Sequence, residues 1–244
     1  MKILHIPRHT LLGRSLRSVL AVIPKGTIVR SQGGLTKGMK WVVGSSTHGC
    51  WLGNYELEHQ AVIREQVKPG MNVLDLGANA GFFSLAFASL GARVWAFEPL
   101  AENVVNLMRH IRLNNLESVS VIQAAVADRS GISGFEVFSN NAVGKLVTHG
   151  NYCVPTVSLD GLMADGVIPR PDFVKMDIEG AEVVALQGSR KLLAERKTNW
   201  LISLHGREPD TTREPVHSIL REFGYSWRQT GDRWEEILVS PRPL

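Results

Sequence analysis

Asn72-Val73-Leu74-Asp75-Leu76-Gly77-Ala78-Asn79-Ala80-Gly81-Phe82-Phe83-Ser84 carries an apolar run through a short glycine-bearing turn and straight into a second apolar run. The first run, Asn72–Leu76, has the length and composition of a buried strand, and the second, residues 82–90, is long enough for a helix. The chain beyond repeats this unit. Arg93–Phe97 reads as a second strand, and residues 102–113 as its helix, with Val105, Leu107, Met108 and Ile111 as a core stripe. Residues 119–124 read as a third strand, and Phe173–Met176 as a fourth. A helix over 181–193 and a fifth strand over 200–204 follow. A hairpin-like excursion around 131–138 interrupts the alternation. A helix over 216–223 and an antiparallel hairpin over 225–239 end it. Strands alternating with helices imply right-handed crossovers and a parallel sheet. The expected fold class is therefore α/β, a Rossmann-like doubly wound, mostly parallel sheet with a decorated end.

Upstream, residues 57–67 read as a helix that stops before Pro69-Gly70. The glycine-rich stretch 26–53, dotted with Ile28, Val29, Val42, Val43, Trp41 and Trp51, suggests short strands and turns. The expected division is a basic N-terminal arm with a small β-rich cap over 1–56, and the α/β domain over 57–244. Charge sharpens that division. Residues 1–55 hold no Asp or Glu but eight basic residues (Lys2, Arg8, Arg14, Arg17, Lys25, Arg30, Lys37 and Lys40). The other 19 basic residues face all 23 acidic ones, so the rest of the chain carries −4 against a total of +4. Such an arm suits an anionic substrate, a nucleic acid, a membrane surface or an acidic neighbouring domain.

No apolar run reaches the roughly 18 residues of a transmembrane helix, and Arg14 and Arg17 break up any signal-peptide core. An organelle transit peptide shares this Arg-rich, acid-free look. Cys50 and Cys153 belong to no metal-ligand spacing, so they read as reduced thiols, and a cytoplasmic location is expected.

In a doubly wound sheet, ligands bind at the carboxyl ends of the strands where the strand order reverses. Gly77 suits the tight turn there, and Gly81 lets helix and strand pack closely. A dinucleotide fingerprint wants a further glycine where Asn79 stands, so that a pyrophosphate can approach the backbone. With Asp75 just ahead of the turn, the loop points to a cofactor without pyrophosphate, one bearing an ammonium group. Glu98, about 20 residues on at the end of the second strand, is placed to accept ribose hydroxyls. NAD would use such an acid too, but Asn79 disfavours it.

The motif 72–84 resembles motif I of class I methyltransferases in the form used by the FkbM family. Ala96-Phe97-Glu98-Pro99 with Asn103 is similar to that family's next motif. So are Ala125-Val126-Ala127-Asp128 with Gly131, Val157-Ser158-Leu159-Asp160, and Val174-Lys175-Met176-Asp177-Ile178-Glu179-Gly180-Ala181-Glu182. Trp51-Leu52-Gly53-Asn54-Tyr55-Glu56 is similar to what the family places before its core. The resemblance implies S-adenosylmethionine as methyl donor. Asp75, Gly77, Asn79, Gly81 and Phe82 would lie at its methionine end. Glu98, with Pro99 and Asn103, would hold the ribose, and Ala125 and Val126 the adenine. Tyr55 and Glu56 would close over the site.

Methyl transfer needs alignment and removal of a proton from the acceptor hydroxyl. Two strand-end residues are candidates, Asp177 and His205, which would meet in one crevice. An imidazole titrates in the right range for a base. Glu179 and Glu182, in the first turn of the next helix, have an adequate explanation in the helix dipole. The sequence permits a divalent metal held by Asp177 with Asp160 but does not demand one, so no metal ligand is expected. His48 could reach the substrate from the cap, while Trp41, Trp51 and Trp200 read better as packing than as stacking platforms.

The expected activity is O-methylation of a hydroxyl on a small molecule or saccharide; the saccharide is what the family resemblance implies. An RNA or protein methyltransferase using the basic arm is the rival. The chain lacks the Asn/Asp-Pro-Pro-aromatic motif of base methylation, so nucleic acid is not the expected partner. A non-catalytic cofactor- or surface-binding protein anchored by the arm is the reading from another class.

Overall fold

The computed structural model of the chain describes residues 22–137, 144–205, 212–230 and 236–243. Its strands are β1 (Ile28–Arg30), β2 (Lys40–Val42), β3 (Asn72–Leu76), β4 (Arg93–Phe97), β5 (Val119–Ile122), β6 (Ala125–Val126), β7 (Gly131–Val137), β8 (Gly144–Val147), β9 (Tyr152–Val157), β10 (Phe173–Met176), β11 (Asn199–Ser203), β12 (Ser226–Gln229) and β13 (Glu236–Ser240). Its helices are α1 (His48–Leu52), α2 (Leu57–Gln66), α3 (Phe82–Ser89), α4 (Ala101–Leu113), α5 (Leu159–Ala164), α6 (Glu182–Gln187), α7 (Arg190–Glu195) and α8 (Arg213–Glu222).

The central sheet has the order β12-β13-β11-β10-β3-β4-β5. Strands β11, β10, β3, β4 and β5 run parallel, and β13 and β12 close the edge antiparallel. Order reverses between β3 and β10, so the expected ligand crevice lies where these two strands end. The period of two along each strand sorts the side chains between two apolar layers. Val73, Phe173 and Leu201 join Trp41, Ile63 and Phe87 on one face. Leu74, Met176, Trp200 and Ile202 join Leu192, Val216 and Leu220 on the other.

Tertiary contacts decide several local departures from the sequence reading. The strand expected over 119–124 ends at Ile122, and β6 leaves for a second sheet of order β6-β9-β7-β8. The excursion after residue 131 is thus a four-stranded layer rather than one hairpin. The helix expected over 181–193 is two helices. They break at Gly188, where a β-carbon would stand 2.0 Å from the Ala127 carbonyl oxygen. Asp160 caps the second of them, its two oxygens accepting from the Lys191 and Leu192 amides at 2.7 and 3.0 Å. Helix α5 was not expected. Ser158 caps it, accepting from Gly161 N.

On α4 the stripe read as core is half wrong: Leu107 is buried, whereas Val105 is 65% and Met108 39% exposed. The helix turns Asn103, Val104, Leu107 and His110 inward instead. The two polar members of that face are masked from a hydrophobicity count because their value lies in hydrogen bonding. His110 accepts from Val42 N (3.0 Å), and its Nδ1 lies 2.8 Å from the Ala80 carbonyl. It is pushed down to about 4, chiefly by burial, and so works as a neutral linker. Trp41 stacks on it at 3.9 Å between centroids.

The stretch 26–53 contains the β1–β2 hairpin and also helix α1. Trp41, Cys50 and Trp51 sit in the same apolar cluster as Val73 and Phe83. Trp200 is fully buried, so all three tryptophans pack. Lys2, Arg8, Arg14 and Arg17 of the basic arm lie outside the described residues. No helix among those described is long and apolar enough to cross a membrane.

His59 on α2 clamps the first segment to the far edge of the sheet. Nδ1 lies 2.8 Å from Glu56 Oε2, and Nε2 lies 2.8 Å from Glu236 Oε2 on β13. Burial opposes its charge, but the two carboxylates push it up to about 9. A histidine raised on folding stabilises fully below its unfolded pKa of about 6.5, and the gain is lost as pH rises through the folded value. The stability difference between wild type and His59→Gln in urea unfolding is therefore expected to be largest at pH 6. It should shrink by on the order of 3 kcal/mol by pH 10; a difference that does not depend on pH would refute the charged clamp.

Candidate active site

Lys175 sits in the middle of β10 with every neighbour apolar in sequence, and only 2% of it is exposed. Its register partner on β3 is Asp75, so the two side chains leave the sheet on the same face. Nζ lies 3.6 Å from Asp75 Oδ1 and 3.2 Å from Asp177 Oδ2, and donates to the Gly77 carbonyl at 3.4 Å. Burial works against this ammonium, yet Asp177 and Asp75 hold its pKa above the usual lysine range. Asp177, opposed by the same burial, is held below the carboxylate range by Lys175 and His205. Burial raises Asp75, which has no exposed surface and accepts from Ser84 Oγ at 2.6 Å. Sequence reasoning gave Lys175 no role of its own. The available signal was a lysine inside an otherwise apolar central strand.

The turn after β3 is shaped by close approach. Gly77 has φ +79, and a β-carbon there would stand 1.9 Å from the Asp177 carbonyl oxygen. Gly81 does permit close packing, although its near neighbour is Leu107 on α4 rather than a strand. Between them Asn79, at φ +49, turns its amide N–H to Glu98 Oε2 at 2.8 Å. Glu98 also accepts from Leu100 N (3.0 Å) and Asn103 Nδ2 (3.1 Å) through Oε1. Burial raises its pKa, and these hydrogen bonds pull it back. A carboxylate offers about four acceptor positions, so one remains for a ligand hydroxyl.

Two cavities meet at Asp177 and Glu179. The first, about 460 Å³, has Glu98, Pro99 and Asn103 at one end. Leu100, Ala125 and Val126 form one wall, and Phe135 and Leu146 of the second sheet another. That is an apolar slot with one buried hydrogen-bond acceptor, the kind of lining that suits a nucleoside. The second, about 830 Å³ with its open mouth, is lined by Tyr55, Gly77, Asn79, Phe82, Lys175, Thr47 just ahead of α1 and Cys50 within it, among others. Asp75, Gly81 and Glu56 line neither cavity. Asp75 holds Lys175, Gly81 receives Leu107, and Glu56 binds His59. His48 accepts from the Trp51 indole at 3.2 Å.

His205, just past β11, lines neither cavity but lies against Asp177 and Glu179, which border both. Nε2 lies 3.4 Å from Asp177 Oδ1 and 3.8 Å from Glu179 Oε2, and Nδ1 lies 2.9 Å from Glu182 Oε1. The expectation of a base poised near neutrality is corrected here. Burial disfavours the imidazolium, but Glu182, Asp177 and Glu179 push it up to about 9. Nor is Glu179 in a helix turn: α6 begins at Glu182, and Glu179 stands ahead of it at φ +55. Asp160 is committed to its helix cap, so the groups gathered with Asp177 are Glu179 and His205 instead.

The model of the methyltransferase FkbM domain matches residues 75–227. The hexuronic acid methyltransferase AglP of Haloferax volcanii is 30% identical over 191 residues, covering 75% of this chain and 77% of that protein. A crystal structure of methyltransferase FkbM from Methylobacillus flagellatus KT superposes with a TM-score of 0.52 at 22% identity. It covers 75% of this chain, which spans half the length of that one.

The buried ion cluster makes a sharp stability claim. Lys175→Met leaves the fully buried Asp75 without its cation and beside Asp177, and breaking a buried pair in this way typically costs about 3–5 kcal/mol. Chemical denaturation is expected to show that loss. Lys175→Met combined with Asp75→Asn is expected to recover part of it, because the repulsion then has one charge fewer.

Proposed function

The chain belongs to the FkbM methyltransferase family, and from that premise we propose that it transfers a methyl group from S-adenosylmethionine to a hydroxyl of a saccharide. The observation that carries the reading is the pair of cavities joined at Asp177 and Glu179, with Glu98 buried in the first. The residues fit the donor. The one free acceptor position of Glu98 suits a ribose hydroxyl, and the slot between Ala125, Val126, Phe135 and Leu146 suits an adenine. The compartment past Gly77, where no glycine stands at Asn79, suits a methionine tail. S-adenosylmethionine supplies an electrophilic sulfonium methyl; the chain's residues orient it and exclude water.

On this reading the acceptor enters at the junction, where Asp177, Glu179 and His205 are each about one-fifth to one-third exposed. Hydroxyl-rich molecules match such a wall, because each carboxylate oxygen can accept from a hydroxyl. The saccharide class is supported by the Haloferax volcanii relative, a hexuronic acid methyltransferase. Asp177 and His205 would bind and align the acceptor oxygen. The basic arm keeps an RNA acceptor as the rival reading, and a salt titration of RNA binding separates the two.

Calorimetric titration is expected to show binding of S-adenosylmethionine and none of NAD. Glu98→Ala should weaken the former about 10- to 100-fold, the worth of a hydrogen bond to a charged acceptor. Saccharides bearing hexuronic acid, offered with labelled donor, should yield a base-stable methyl ether. NAD binding, or label appearing only in RNA, would overturn the assignment.

A further inference from the structure

The ring of His205 is held from behind and open in front. Behind it, Nδ1 meets Oε1 of Glu182, a residue with no exposed surface whose other oxygen, Oε2, is buried with no hydrogen-bond partner among the described residues. In front, Nε2 faces Asp177 Oδ1 and Glu179 Oε2, and one ligand atom from each of the three side chains lies within 4.8 Å of the others. A buried carboxylate behind an imidazole fixes the proton on Nδ1 and aims Nε2 forward. This is how metal-ligating histidines are oriented. Asp177 is anchored in the same manner, with Oδ2 on Lys175 and Oδ1 left to face His205. Glu179 adopts φ +55, a conformation a side chain resists, and this turn brings its carboxylate over the same point.

We propose that Asp177, Glu179 and His205 form a divalent cation site at the junction of the two cavities, taking Mg²⁺ or Mn²⁺ and leaving positions open for oxygens of the methyl acceptor. Ligands about 2.1 Å from an ion stand about 3 Å apart when adjacent and about 4 Å apart when opposite. The observed separations of 3.4 and 3.8 Å need only small side-chain adjustments to reach that. Two carboxylates and one imidazole form an oxygen-rich set that suits these ions and leaves coordination positions unfilled. Charge points the same way. Asp75, Asp177, Glu179 and Glu182 outnumber Lys175 and the His205 imidazolium, and a dication that takes the place of the imidazolium proton offsets the surplus. An ion at Nε2 would displace any proton held there. Bound so, it could polarise neighbouring hydroxyls of an acceptor. Only that last role rests on the saccharide reading; the cation site stands on the side chains alone.

Titration of chelator-treated full-length protein with MnCl₂, followed by calorimetry and by the paramagnetic resonance of free Mn²⁺, tests the site without turnover. One Mn²⁺ per chain is expected, with Mg²⁺ competing for it. Glu179→Gln and His205→Ala should each weaken binding by about tenfold or more. Glu182→Gln, which touches no ion, should weaken it about 10- to 100-fold through the imidazole. Circular dichroism and S-adenosylmethionine titration of each variant confirm that it is folded. Absence of Mn²⁺ binding by folded wild type that binds S-adenosylmethionine overturns the cation site and leaves the donor reading standing. So does Mn²⁺ binding that survives in folded Glu179→Gln and His205→Ala. Mn²⁺ binding without S-adenosylmethionine binding supports the cation site and overturns the donor reading instead.

Discussion

A buried lysine between two carboxylates organises this molecule. Lys175 reaches Asp75 on the neighbouring strand and Asp177 at the end of its own, and touches the Gly77 carbonyl in passing. Burying any one of these charges alone costs several kcal/mol, so each tolerates the interior only because the others are present. The cluster sits where strand order reverses, between β3 and β10, and ties the two strand ends into one rigid floor. The backbone reinforces it: Gly77 passes so close to the Asp177 carbonyl that no side chain fits between them. Asp177 presents its second oxygen to His205 from that fixed position. The electrostatics of the crevice thus follow from a lysine and an aspartate buried beneath it, with Asp177 carrying their influence to the cavity wall.

Around this floor the walls come from distant parts of the chain. The second sheet, β6 to β9, supplies Ala125, Val126, Phe135 and Leu146 to the first cavity. Helix α1 and Tyr55 supply the rim of the other cavity. Two buried histidines hold the N-terminal segment in place by different means. His110 is neutral and links Val42 to Ala80, so β2 is joined directly to the loop after β3. His59 is charged and links Glu56 to Glu236, so α2 is joined to the sheet's far edge. Tyr55 lies next to one of these clamps, which makes the position of the rim a consequence of the fold's own polar contacts.

The strand–turn–helix of residues 72–84 was readable because local rules suffice for it. An apolar strand, a turn that needs positive φ and an apolar helix each leave a composition mark. Glu98 was readable for the same reason, as an acid at a strand end a fixed distance on. The α4 face was misread because Asn103 and His110 look polar in sequence while serving as buried hydrogen-bonding groups. The 181–193 helix was misread because its break at Gly188 answers to the Ala127 carbonyl, some sixty residues away.

The sequence by itself determined the alternating α/β order, the family and the strand-end residues Asp177, Glu98 and His205, since these depend on periodicity and short spacing. Only the tertiary structure decided what those residues are to one another. It committed Asp160 to a helix cap, withdrew Asp75 and Glu56 from the cavity walls and gave Lys175 its place. It also surrounded His205 with three carboxylates. The physical reason is that charge and hydrogen bonding act over a few ångströms in space, whatever the separation along the chain. The partners that set a side chain's protonation and reach are chosen only when the strands come into register.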